Sequence, residues 1–252
     1  MFSYLVLTLG GLLFGAMVYR YDMHEREPWW MLVGAAVAGG LTMALAFKLE
    51  GWALRLAANS GMEYGYRFLH ALLAGTLEEA AKLAVPLLVM LLIRKHFNDP
   101  MDGLIYGSLA GLGAALYEAG WYQFHDEPTQ TAGWFYRAGT DAMRMFMHTI
   151  WGGIIGFPLG LAVMNKPWRL VLLRTAGLVM LIHFAWDLFV GFVQEQGNLE
   201  KLIATALLGA SVVWYGLLVV RANKWSRSMH APQSKQRLVG RIVRAIITRR
   251  LK

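Results

Sequence analysis

The chain has no cysteine among its 252 residues, which removes disulfides, thiolate zinc sites and cysteine nucleophiles together. Charge is also scarce: 16% of residues are Asp, Glu, Lys or Arg against 57% hydrophobic, and the mean hydropathy is +0.42. That is too apolar for an ordinary soluble domain. Sequence repeats, low-complexity linkers and a separate soluble domain are missing. So is an HExxH motif, which excludes zinc proteases of that type but not a metal held by His and Glu from separate helices. Gly107-Ser108 lacks the flanking pattern of a rhomboid-type serine nucleophile. Asp187 is the only aspartate deep within an apolar run, so a paired-aspartate intramembrane protease would lack its partner. Acid is absent from Arg221 onward, where ten of the 24 Lys and Arg lie. The preceding 220 residues carry 14 basic and 16 acidic side chains, and the formal charge of +8 belongs to the tail.

What the chain does have is apolar runs of bilayer-crossing length, about 20 residues each. Seven are evident, at 2–19, 29–47, 68–93, 103–124, 145–164, 175–193 and 202–220. They predict an all-α polytopic transmembrane bundle, since lipid offers no hydrogen-bond partner to an open backbone. Of the Lys and Arg, 17 fall on the side holding Arg20, Arg26, Arg94, Lys95, Lys166, Arg169, Arg174 and the tail. Six fall on the other side: Lys48, Arg55, Arg67, Arg137, Arg144 and Lys201. The positive-inside rule then predicts the N-terminus outside and the C-terminus inside. The first run has no positive n-region and no clear small-residue cleavage site, and is expected to be a retained helix.

Residues 1–221 are expected to form one membrane-embedded domain and 222–252 a basic cytoplasmic tail. In the tail Leu238, Val239, Ile242, Val243, Ile246 and Ile247 recur at helical spacing between Arg241, Arg244, Arg249 and Arg250. That is the pattern of a helix lying on an anionic inner leaflet, so lipid is the expected partner and nucleic acid is not. Two longer loops, 48–67 and 125–144, are predicted outside, the first with a short interfacial helix over Leu49, Trp52, Ala53 and Leu56.

Against this background Glu78-Glu79-Ala80-Ala81-Lys82 stands out, three ionisable residues inside the third apolar run. Charge at a helix centre costs roughly 2.5–3.5 kcal/mol per residue on insertion scales, so it faces a protein interior or a wet cavity. Glu78 and Lys82, four residues apart, have the spacing of a neutralising pair, while Glu79 lies about 100° round the helix. Small-residue stripes at Gly103, Gly107, Gly111 and at Gly152, Gly156, Gly160 mark close helix packing. Glu118 extends the first stripe and His148 the second, and His183, Asp187 and Gly191 form a third line. Helix direction brings Glu78, Glu79, Glu118, His148, His183 and Asp187 to one layer between mid-membrane and the outer surface. Carboxylates and imidazoles without a built-in hydroxyl or thiol suit activation of water by Glu78 or Glu79. His148 and His183 would assist, Asp187 would orient His183, and Lys82 would tune the acidic pair. A divalent metal such as zinc, on ligands drawn from Glu79, Glu118, His148, His183 and Asp187, is an alternative form of the same site. A transporter or proton relay is the rival from another class, although repeated halves and broken helices are missing. A catalytically silent scaffold is a third reading.

The ordered motifs resemble the PrsW family of intramembrane proteases, more distantly the CAAX prenyl protease and bacteriocin-processing group. They run from Tyr21-Asp22 and Glu27-Pro28 through Glu78-Glu79-x-x-Lys82 to Asp102-Gly103 with Gly107, Gly111, Gly113, Glu118 and Tyr122. Arg144-x-x-x-His148-x-x-Trp151 and His183-x-x-Trp186-Asp187 complete the set. Two positions depart from the family pattern, Ala114 where Phe is frequent and Ala119 where Asn is, and Ala114 implies a wider pocket. The resemblance implies peptide-bond hydrolysis in a bacterial cytoplasmic membrane, typically an extracytoplasmic first cut of a single-span anti-sigma factor. It also implies a core site of Glu78, Glu79, Glu118, His148 and His183, with Asp187 beside them.

Overall fold

The computed structural model describes residues 2–21, 24–59, 65–125, 133–191 and 198–230. The described residues form seven long helices and no strand, in keeping with the all-α expectation. These are α1 (Phe2–Tyr21), α2 (Trp29–Asn59), α3 (Tyr66–Leu92), α4 (Asp102–His125), α5 (Trp134–Val163), α6 (Trp168–Trp186) and α7 (Asn198–His230). A 3-10 turn, Arg94–His96, follows α3, and α6 widens into a π-type turn, Asp187–Gly191. Four stretches among the described residues are long and apolar enough to cross a bilayer: Trp29–Asn59, Arg137–Val163, Trp168–Phe189 and Leu202–His230. α1 adds a shorter apolar stretch, Leu9–Arg20, and α3 carries the three mid-helix charges.

α4 is the hub, buried without interruption from Asp102 to Ala115. Its glycines let two neighbours approach to backbone contact. A Cβ at Gly107 would lie 2.2 Å from the Gly152 carbonyl oxygen of α5, and one at Gly113 would lie 1.7 Å from the Ala36 oxygen of α2. Apolar burial gives no drive between helices in lipid, so this close packing supplies dispersion energy instead. Ala114 is fully buried against Met43 and Ala46 of α2, with Phe47, Leu77, Ala81 and Tyr117 packed around them. α2 thus occupies the space that the missing Phe suggested would widen a pocket.

The helices run longer than the apolar runs. α2 continues past Phe47 to Asn59 because Met43, Ala46, Glu50 and Leu54 keep one buried stripe at three- and four-residue spacing. The predicted interfacial helix is therefore the end of α2, with Leu49, Trp52 and Leu56 facing outward. α5 begins at Trp134, which shortens the second predicted loop. α7 passes Val220 and reaches His230, burying Ala222 and Ser226 and stacking Trp225 on Phe157 of α5. The tail pattern from Leu238 to Ile247 lies outside the described residues.

At one end of the bundle the α1–α2 connection, the α3–α4 connection and the end of α7 meet. Asp99 Oδ1 accepts the Met101 N–H at 2.7 Å, and Asp102 Oδ2 accepts the N–H groups of Asn98 and Asp99, each at 2.7 Å. Ser226 of α7 donates to Asp99 Oδ2 at 2.7 Å, and Tyr106 of α4 donates to Glu27 Oε2 at 2.6 Å. These bonds seat α4 and fix how the helices are joined there.

Candidate active site

Midway along the bundle, α3 supplies Glu78, Glu79 and Lys82, α4 supplies Glu118, α5 supplies His148, and α6 supplies His183, with Asp187 opening the π-type turn. Close crossings hold these turns together. A Cβ at Gly111 of α4 would lie 2.0 Å from the His148 carbonyl oxygen, and one at Gly75 of α3 would lie 2.8 Å from the Phe184 nitrogen of α6. The small-residue stripes therefore end at the polar layer, as their phase predicts. Glu79 and Lys82 are fully buried, and Glu78, Glu118, His148 and His183 are at most 9% exposed. Asp187 is half-buried.

Lys82 Nζ donates to Glu79 Oε1 at 2.5 Å and lies 3.2 Å from His148 Nδ1. Its partner is thus Glu79, three residues back, and not Glu78 as the four-residue spacing suggested. Both spacings put two side chains on one helix face, and contacts from other helices decide between them. His183 Nδ1 donates to the same Glu79 oxygen at 2.8 Å, so Glu79 does the orienting assigned to Asp187. The Asp187 carboxylate sits instead at the other nitrogen, 3.4 Å from His183 Nε2.

As neutral imidazoles the two histidines would hold opposite tautomers. With Nδ1 donating to Glu79, a neutral His183 presents a lone pair at Nε2. The Lys82 ammonium has only hydrogens to give, so His148 accepts at Nδ1 and carries its proton on Nε2, 3.0 Å from Glu118 Oε2. Between the rings lies Glu78 Oε2, 3.8 Å from His183 Nε2 and 4.0 Å from His148 Nε2. Glu78 Oε2 and Glu79 Oε2 are buried without a hydrogen-bond partner, whereas Glu118 Oε2 faces the His148 Nε2–H. Buried polar atoms are normally satisfied, so two unpaired carboxylate oxygens in one cluster point to a ligand that would satisfy them. Glu78, His148 and His183 each offer a ligand atom, and these lie within 4.8 Å of one another.

Other motif residues go elsewhere. Glu27, Asp102 and Gly103 belong to the bundle end and to helix packing, and Asp22 lies outside the described residues. Ser108 hydrogen-bonds Tyr215 at 2.9 Å and takes no part in the cluster. Two residues that sequence reasoning left without a role stand next to it. Arg144 contacts Glu118, with Nε 3.0 Å from Oε1. Glu50 of α2 is close enough to interact electrostatically with Glu78, Glu118, His183 and Asp187, and its Oε1 lies 3.5 Å from His70 Nε2. The signal for Glu50 was its place on the α2 stripe, hidden when that helix is ended at Phe47.

The family model of the PrsW family intramembrane metalloproteases matches residues 27–220, which include every residue of this cluster. The chain belongs to the PrsW family. No curated protein and no solved structure matches it. As a PrsW member with membrane-crossing helices it is an integral membrane peptidase, and the family's description as metalloproteases agrees with buried Glu and His groups able to hold a metal ion.

Proposed function

We propose that this PrsW-family chain is an intramembrane endopeptidase that cuts a single-span membrane protein, such as an anti-sigma factor, at a site opening to the outer side of a bacterial cytoplasmic membrane. The observation that carries this reading is Glu78 Oε2, a buried carboxylate oxygen without a hydrogen-bond partner that faces Nε2 of both histidines. A water held between Glu78 Oε2 and the His183 Nε2 lone pair gives its proton to Glu78 as its oxygen attacks the scissile carbonyl carbon. His148 donates its Nε2 proton as a hydrogen bond to the developing oxyanion. The proton on Glu78 then passes to the leaving nitrogen as the C–N bond breaks. Glu79 and Lys82 keep the two imidazoles in the tautomers that this division of labour needs.

The same atoms fit a divalent cation. Glu78 Oε2 and His183 Nε2 present lone pairs, and His148 Nε2 presents one after passing its proton to Glu118 Oε2, 3.0 Å away, with Asp187 alongside. Glu78 joins the expected ligand set, because its ligand atom lies within 4.8 Å of those of His148 and His183. Bound there, zinc would act as a Lewis acid on the water and lower its pKa.

Co-expression of candidate single-span substrates with wild type, Glu78→Gln, Glu79→Gln and His148→Ala tests the reading. Cleavage by wild type that each substitution abolishes is expected. Cleavage indifferent to all three overturns the assignment.

A further inference from the structure

Arg144 stands one turn before His148 on α5, so both side chains project from one helix face. Its guanidinium is held on three sides. Nε lies 3.0 Å from Glu118 Oε1, Nη1 donates to Asp141 Oδ1 at 2.8 Å, and the Tyr122 ring lies 4.8 Å from the guanidinium carbon. Asp141 is itself fixed, since its Oδ2 accepts from Gln123 Nε2 at 3.2 Å. A planar fork held in this way has a single orientation, which a lysine ammonium at the same position lacks.

The consequence falls on Glu118. Its Oε1 is committed to Arg144, which leaves Oε2 to face the protonated His148 Nε2 at 3.0 Å. Glu118 thus meets the guanidinium at Nε through Oε1, while Asp141 holds its opposite side at Nη1, so the fork is fixed from two directions.

We propose that Arg144 is a positioning residue of the site: it fixes the Glu118 carboxylate so that Oε2 stays directed at His148 Nε2. Arg144 touches neither substrate nor the reacting atoms and acts through Glu118. Only the kinetic consequence of this inference rests on the protease reading.

The test uses the full-length protein in detergent, as wild type, Arg144→Met, Arg144→Lys, Glu118→Gln and the Arg144→Met/Glu118→Gln double variant. The first readout is the 15N chemical shift of the His148 imidazole, which needs no substrate. Arg144→Met is expected to move the Nε2 resonance, and Arg144→Lys to move it less. The second readout is kcat and KM on a cleaved single-span substrate. Arg144→Met is expected to lower kcat about 10- to 100-fold with KM little changed, as for a partner that orients a site ligand. Adding Arg144→Met to Glu118→Gln is expected to cost less than about twofold further, because the effect passes through Glu118. Losses that multiply, or a His148 resonance unmoved by Arg144→Met, overturn the proposal. A moved resonance in a protein that cleaves nothing sinks the protease reading and leaves the positioning role standing. Arg144→Lys keeps the charge and carries both readouts should Arg144→Met not fold, and a Lys variant identical to wild type in both overturns the proposal.

Discussion

Among the described residues, two buried polar regions treat their carboxylates differently. At the end where α4 begins, Asp99, Asp102 and Glu27 accept hydrogen bonds from the N–H groups of Asn98, Asp99 and Met101 and the hydroxyls of Ser226 and Tyr106, with the His96 and His230 imidazoles farther off, 3.4 Å from Glu27 and Asp99. Midway along the bundle, Glu78, Glu79 and Glu118 face imidazoles, a lysine and an arginine from three helices, and Glu78 and Glu79 each keep one oxygen without a hydrogen bond. Glu25, Asp99 and His230 also bring possible ligand atoms together at the first region, yet His230 is exposed and both Asp99 oxygens are already used. Asp102 Oδ1 is unpaired there, while its other oxygen accepts two N–H groups. Neutral donors make a buried carboxylate into a structural joint. Carboxylates that meet across a gap, with oxygens left over, make a site, because a buried group without a partner costs about 1–3 kcal/mol that packing alone gives no reason to bear.

The comparison breaks most visibly at Glu78. Glu78→Gln is expected to lower kcat/KM roughly 10²- to 10⁴-fold, the range of a positioned acid–base group, while the thermal unfolding midpoint holds or rises because a buried charge is gone. Removing divalent metal from the purified enzyme sharpens the same side: loss of cleavage restored by zinc, and no longer restored in His183→Ala, would assign Lewis-acid chemistry to the Glu78, His148 and His183 set.

The bundle end is expected to answer in stability and not in rate. Asp99→Ala frees the Met101 N–H and the Ser226 hydroxyl together and should lower unfolding free energy by about 2–3 kcal/mol, with Ser226→Ala lowering it by about 1 kcal/mol. Cleavage should remain near wild type in both, measured on the same substrate. A rate loss in Ser226→Ala as large as that of Glu78→Gln would erase the distinction between the regions.

The smallest effect concerns Glu27, in the connection before α2. Burial raises its pKa above the ordinary 4.5, and the Tyr106 hydroxyl bond only partly opposes that rise. The folded chain therefore holds this proton more tightly than the unfolded chain. Stability from this group is present at low pH and falls as pH rises from about 4.5 through the raised value. Glu27→Gln should flatten that part of the pH dependence. Unfolding midpoints of the two proteins across a pH series measure it, and parallel curves would count against the assignment.

Much of the fold was legible because its cause is local. Seven apolar runs became seven helices, and glycines at every fourth position became the α4–α5 crossing. Boundaries were less legible. Charge at Lys48 and Glu50 looks like the end of a span at Phe47, whereas Glu50 is carried inward on the stripe of Met43, Ala46 and Leu54. Depth and phase brought Glu78, Glu118, His148 and His183 to one layer, since both follow from position along a helix. The part played by Arg144 was not legible: a basic residue one turn from His148 reads equally as a surface charge until Glu118 and Asp141 are seen beside it.

Run length, small-residue spacing and helical phase, properties of the chain alone, determined that this protein is a helical membrane bundle with a carboxylate and imidazole layer inside it. Only the tertiary structure decided that Lys82 pairs with Glu79 and leaves Glu78 facing the histidines, because three- and four-residue spacings are equally available on α3. The choice rests with His183 on α6 and His148 on α5, which reach Glu79 and Lys82 from outside their own helix.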